Sequence, residues 1–184
     1  ARRGGYDGRG VAVMKTSADF AANLPVPSLV EKFVEADKEI SVLVARNSDG
    51  ECKAYPVVEM VFVGGHNVLD VLLVPARIDT RLAEEAQQLG VKTVEALNGV
   101  GIFGVEMFLT KEGGLLVNEV APRTHNSGHQ SIEANITDQF EQHVRAILNL
   151  PLGETGLLSP AAMVNLLGEP GFEGRPVIRG MNET

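Results

Sequence analysis

The sequence predicts an α+β fold, an antiparallel sheet with packed helices, and three observations carry that expectation. Residues 39–46 alternate, placing Ile40, Val42 and Val44 on one face, the period of a half-buried strand. Residues 102–110 and 115–120 are two apolar runs joined by Lys111-Glu112-Gly113-Gly114, a strong hairpin signal. Between them, residues 80–97 carry Leu82, Ala86, Leu89, Val94 and Leu97 in a helical stripe. Hairpins with two separate helices fit α+β better than alternating βαβ units, and no internal repeat is visible.

Taken in order, residues 11–15 form a short apolar segment, and residues 17–23 begin like a helix capped by Ser17. Residues 29–34 read as a strand ahead of the 39–46 strand. The turn cluster Asn47-Ser48-Asp49-Gly50 predicts a hairpin partner over residues 51–58. A further strand runs over 69–74. After the long helix and the second hairpin, residues 122–131 are polar and irregular. Residues 138–150 predict an amphipathic helix with Phe140, Val144, Ile147 and Leu148 turned inward, stopped by Pro151 and Gly153. Another strand begins over 161–167.

The bulk properties exclude several function classes. The chain has 184 residues, 44% hydrophobic and 22% charged, the balance of an ordinary globular core. Its net charge is −8 and its basic residues are dispersed, which argues against nucleic acid as a partner. Cys52 is the only cysteine, so neither a disulfide framework nor a Cys/His zinc cluster is expected. No apolar run approaches the ~20 residues of a membrane span, and a reducing cytoplasm fits the composition. Asn135-Ile136-Thr137 matches a glycosylation acceptor, which carries little weight without a secretion signal. The first residue is not Met and a new strand begins near the end, so the chain reads as a piece of a longer protein.

Chemistry concentrates in three places. With Glu112-Gly113 as a two-residue turn, Lys111 pairs with Gly114 and Glu106 falls opposite Glu119; a three-residue loop would shift that pairing by one. Like charges opposed on a sheet repel, and a divalent cation offsets them, Mg²⁺ taking carboxylate oxygens together with waters and phosphates. Two acids on a solvated face are the plain alternative, but Val105, Met107, Phe108, Val117 and Val120 around them disfavour casual exposure. Asn118 adds an amide beside the pair.

The second place is Gly4-Gly5-Tyr6-Asp7-Gly8-Arg9-Gly10, whose glycines let backbone N–H groups approach phosphates. It is neither a P-loop nor a dinucleotide fingerprint, and an ordinary pair of turns would look the same. Arg2, Arg3 and Arg9 favour anion binding. The third is Pro122-Arg123-Thr124-His125-Asn126-Ser127-Gly128-His129, directly after the acidic strand. Arg123 suits a carboxylate, phosphate or bicarbonate. His125 and His129 have the spacing of a helical zinc pair, but Pro122 and Gly128 make this a loop, and a self-bonded turn without chemistry is the other reading. His143 reads as structural and His66 as part of a surface turn.

These elements, in this order, resemble the 5-(carboxyamino)imidazole ribonucleotide synthases, the ATPase subunit of phosphoribosylaminoimidazole carboxylase. The carrying segments are RRGGYDGRG at 2–10, VEKFVEADKEISV at 30–42, YPVVE at 55–59, GVEMFLTKEGGLLVNEVAPRTHNSGH at 104–129, QFEQHVRAILNLPLG at 139–153 and MVNLLGE at 163–169. The resemblance implies a partial ATP-grasp fold: residues 1–34 from the first subdomain, 35–150 as the second, and 151–184 as the start of a small carboxy-terminal β domain. It implies ATP and Mg²⁺ as cofactors, and bicarbonate and 5-aminoimidazole ribonucleotide as substrates, in purine biosynthesis. By motif, Glu106 and Glu119 are the metal ligands with Asn118 beside them. Glu31, Lys32, Phe33 and Val34 match the adenine linker, and Glu39 the ribose acceptor. The loop of Gly4, Gly5, Gly8 and Gly10 closes over phosphates, with Tyr6, Asp7 and Arg9 at the chemistry. Arg123, His125, Asn126 and Ser127 match the bicarbonate and nucleotide-substrate site. A homodimeric full-length protein is expected.

The chain departs from the family pattern at Thr124 and Met60, where proline and asparagine are usual, and at Gln130, Ser131 and Asp138. None of these removes an implied ligand. Without the remaining domains, little synthase activity is expected of these residues alone. The rival readings are another ATP-grasp ligase, such as the formate-dependent glycinamide ribonucleotide transformylase, a biotin-dependent carboxylase core, and a non-catalytic nucleotide-binding module. The NSGH segment favours the synthases.

Overall fold

The structure, a computed structural model, describes residues 12–17, 19, 27–62, 69–166, 168, 171, 173–175 and 177. Its centre is β1 (Ala36–Arg46), whose Ile40, Val42, Leu43, Val44 and Ala45 are at most 2% exposed. A strand buried on both faces requires a layer on each side, and the chain supplies helices to both.

The other strands are β2 (Cys52–Ala54), β3 (Val58–Val61), β4 (Val71–Val74), β5 (Gly101–Thr110), β6 (Leu115–Ala121) and β7 (Ala161–Val164). They form one antiparallel sheet in the order β6-β5-β1-β3-β4-β7, with β2 also pairing with β1. The single partner strand expected over 51–58 is two strands. They are separated at Tyr55-Pro56-Val57, where Pro56 cannot donate to a ladder. Residues 29–34 are not a strand: they run without regular pairing, and Leu29 and Val30 are 71% and 88% exposed. Among the described residues no strand pairs with them, and the propensity of Val30, Phe33 and Val34 alone does not make a strand.

Helix α1 (Thr80–Leu97) begins where Asp79 accepts the Leu82 N–H and ends at Asn98 in the left-handed region. It buries Leu82, Ala86, Gly90 and Val94, with Ala86 and Val94 packed among Ile40, Val42 and Val44, while Leu97 of the expected stripe is exposed. Gly90 allows the closest approach, since a Cβ there would lie 3.3 Å from Val44 Cγ2 and 3.4 Å from Val42 Cγ1.

The opposite layer holds α2 (Ser131–Ala134) and α3 (Gln139–Ile147), with Ala146 packed among Leu43, Ala45, Tyr55, Ile102 and Leu152. Here the predicted face is reversed. Phe140, Val144, Ile147 and Leu148 are 43%, 48%, 52% and 62% exposed, whereas Gln139 and Gln142 are fully buried. The glutamines go inward because their amides satisfy loop backbone: Gln142 donates to Gly153 C=O and accepts from Gly153 N–H, at 2.9 and 2.8 Å. His143 Nδ1 accepts the Ile102 N–H at 3.1 Å, tying the same helix to β5. No helix among the described residues is long and apolar enough to cross a membrane.

Candidate functional site

The face of the sheet opposite α1 carries the candidate site. Pairing places Ser41 beside Glu106 and Glu106 beside Glu119, so one polar row crosses β1, β5 and β6. Glu39, two residues before Ser41, shares that face by strand alternation.

The Glu106–Glu119 pairing arises by a route other than the two-residue turn expected. The loop holds three residues, because Thr110 N–H donates to Gly114 C=O and Gly113 N–H to Thr110 C=O, with Gly113 at φ +81. That loop shifts the register by one, so Met107 pairs with Val117. A bulge at Asn118 shifts it back, and Glu106 meets Glu119. Asn118, as the extra residue, is exposed.

Beyond β6 the chain turns under the sheet, and His125 caps a short 3₁₀ turn, Asn126–Gly128. Its imidazole reaches the acids: Nε2 lies 3.5 Å from Glu106 Oε1. Among the described residues, Glu106, Glu119 and His125 form the group able to share a cation, their ligand atoms all within 4.8 Å of one another. Burial, then the charges of Glu119 and Glu39, push the Glu106 carboxyl up to about 7, and burial also raises Glu39. A carboxyl that burial and neighbouring acids hold against ionisation, as at Glu106, fits a divalent cation, whose coordination offsets that penalty.

The other expected residues are placed as follows. Arg123 is exposed, its Nη1 donating to Thr124 C=O at 3.0 Å; Asn126 is half-buried and Ser127 fully buried. Glu31, Lys32, Phe33 and Val34 lie just before β1, with Phe33 63% exposed. Gly4, Gly5, Tyr6, Asp7, Gly8, Arg9 and Gly10 lie outside the described residues, as do Arg2, Arg3, His66 and most of the 17–23 segment.

Two features escaped the reading of the residues. Ser41 stands between Ile40 and Val42 in an apolar strand, 1% exposed, and its Oγ is 2.9 Å from Ser127 Oγ. A lone hydroxyl in such a run was the available signal. The second is Glu59 on the α1 face, 4% exposed, which accepts from Arg77 N and Nε at 3.1 Å, Arg77 Nη2 at 2.5 Å and Lys38 Nζ at 3.0 Å. Arg77, with Lys38 assisting, holds the Glu59 carboxyl down at about 2.

Comparison with known proteins bears directly on this geometry. A family model described as the ATP-grasp domain matches residues 1–140. The N5-carboxyaminoimidazole ribonucleotide synthase of Bacillus subtilis (strain 168) is 47% identical over 171 residues, 91% of this chain and 44% of that protein. The crystal structure of N5-carboxyaminoimidazole ribonucleotide synthetase from Thermotoga maritima superposes with a TM-score of 0.87 at 52% identity, over 95% of this chain and 46% of that one. The Aspergillus clavatus N5-carboxyaminoimidazole synthase, in complex with ADP and 5-aminoimidazole ribonucleotide, superposes with a TM-score of 0.72 at 36% identity. That match covers 76% of this chain and 37% of the fungal one. The chain thus spans less than half the length of these relatives.

Proposed function

The chain belongs to the ATP-grasp domain family, and from that premise we propose that its full-length protein is an ATP- and bicarbonate-dependent ligase that carboxylates the amine of 5-aminoimidazole ribonucleotide. The observation that carries this reading is the convergence of Glu106, Glu119 and His125, within 4.8 Å, on one sheet face. The names of the relatives support the substrate class, and the bound ADP and nucleotide in the fungal protein's structure support the pair of ligands.

In this proposal the γ-phosphoryl of ATP passes to a bicarbonate oxygen, giving ADP and carboxyphosphate. Carboxyphosphate breaks down to CO₂ and phosphate, and the substrate amine attacks the CO₂ carbon and gives up a proton to form the N-carboxylate. Glu106 and Glu119 would hold Mg²⁺, which supplies charge neutralisation for the transferring phosphoryl group. Asn118, the extra residue at the bulge between Val117 and Glu119, would add its amide to that site. Glu39 accepts from the ribose hydroxyls, and Glu31, Lys32, Phe33 and Val34 form the wall against adenine. Arg123 supplies a planar cation to bicarbonate, while His125, Asn126 and Ser127 line the nucleotide-substrate side. The loop containing Gly4, Gly5, Tyr6, Asp7, Gly8, Arg9 and Gly10 excludes water from a water-labile intermediate. The full-length protein is proposed to be a cytoplasmic homodimer.

The deciding experiment measures ADP release by the full-length protein. Release that requires bicarbonate and 5-aminoimidazole ribonucleotide together supports the proposal. Release driven by formate and glycinamide ribonucleotide, or none with either pair, contradicts it.

A further inference from the structure

We infer that Gln139 and Ser127 are positioning residues for His125, holding its imidazole in a single pose and tautomer with Nδ1 as acceptor and the Nε2–H directed at Glu106. Gln139 is fully buried in the first turn of α3, behind the cap formed by Asp138. Its Oε1 accepts the His125 N–H at 2.9 Å, and its Nε2 donates to His125 C=O and to His129 Nδ1, both at 2.9 Å. Both amide N–H groups and the carbonyl oxygen are therefore engaged. One side chain grips both backbone polar groups of His125.

The ring is held separately. Ser127 N–H donates to His125 Nδ1 at 3.3 Å, and Ser127 Oγ lies 2.9 Å from the same nitrogen and 2.9 Å from Ser41 Oγ. A backbone N–H directed at Nδ1 requires a lone pair there, so the neutral ring carries its proton on Nε2. That nitrogen is the one 3.5 Å from Glu106 Oε1. A metal-ligating histidine has the opposite polarity, its second nitrogen donating to an oxygen. The protonated Nε2 of His125 therefore faces Glu106, although distance alone would admit it as a third ligand. Gly128 completes the clamp: a Cβ there would lie 2.5 Å from Gln139 Oε1 and 2.5 Å from Leu43 Cδ1. The clamp depends only on these hydrogen bonds. Its use, fixing the orientation of the Glu106 carboxylate, rests on the ligase proposal above.

The test is long-range ¹H–¹⁵N NMR of the imidazole rings in the ¹⁵N-labelled chain, with His125 assigned from a His125→Phe spectrum. The inference predicts a single Nε2–H tautomer for His125, retained when Mg²⁺ is added. Gln139→Met should move the two ring nitrogens toward a common averaged position, and Ser127→Ala should shift the Nδ1 signal. If Gln139→Met does not fold, Gln139→Glu, which keeps the acceptor and loses both donors, replaces it. An Nδ1–H or averaged ring in the unsubstituted chain, a change to Nδ1–H with Mg²⁺, or variants with unchanged ring signals would overturn the inference. Failure of the ligase proposal would appear instead as absent ADP release, with these spectra intact.

Discussion

Glu106 and Glu119 stand opposite each other because two irregularities in one hairpin cancel. The three-residue loop closed by Gly113 displaces the ladder by one residue, and the Asn118 bulge displaces it back. Between loop and bulge, Val117 pairs with Met107 and points to the α1 side with Leu115, leaving the acids to share the other face with Ser41. Bulges at functional positions re-aim side chains, and this one sits immediately before a proposed ligand.

Two glycines near the site should respond unequally to alanine. Gly113 has φ +81 but open space where a methyl group would stand, so Gly113→Ala costs about 1 kcal/mol of backbone strain. Gly128→Ala must displace Gln139 or Leu43 and costs roughly 2–3 kcal/mol, as overpacking does. Urea denaturation of the two variants checks the order; equal costs would contradict it.

Glu59 gives the protein an acid-sensitive element. Its folded carboxyl is held at about 2 against an ordinary 4.5, so the native state binds fewer protons than the unfolded one between those values. Its stabilisation is therefore complete above the unfolded value and is lost as pH falls through the window toward 2. Since Arg77 is largely exposed, the contribution is of order 1–2 kcal/mol after screening. Denaturation midpoints from pH 7 to pH 2 should fall more steeply for the unsubstituted chain than for Glu59→Gln.

The orientation of α3 predicts an inverted mutational pattern. Val144→Ser and Ile147→Ser, on the exposed face, cost about 0.5 kcal/mol or less. Gln142→Leu strands the Gly153 N–H and C=O and costs about 1–3 kcal/mol. Thermal melts of the three variants decide this, and larger losses at Val144 and Ile147 would restore the inward face.

The sequence made some of this legible for definite reasons. Residues 80–97 carry a strong helical stripe, and α1 occupies that span. The 39–46 alternation and the 102–120 hairpin likewise mark real strands. Periodicity groups residues on a face but does not say which face meets the core, hence the reversal of α3 around Gln139 and Gln142. The loop and the bulge each move a register by one residue, so the Glu106–Glu119 pairing was reached on a turn that does not exist. The clamp of Gln139 on His125 and the support of Ser127 by Ser41 were illegible because these partners lie 14 and 86 residues apart in sequence.

The central claim, that Glu106 and Glu119 jointly hold the cation that serves ATP, is tested most directly by calorimetry of ATP binding to the full-length protein with and without Mg²⁺. The unsubstituted protein should bind ATP at least tenfold more tightly with Mg²⁺, and Glu106→Gln combined with Glu119→Gln should lose that enhancement while remaining folded. Undiminished Mg²⁺ enhancement in the folded double variant would contradict the account.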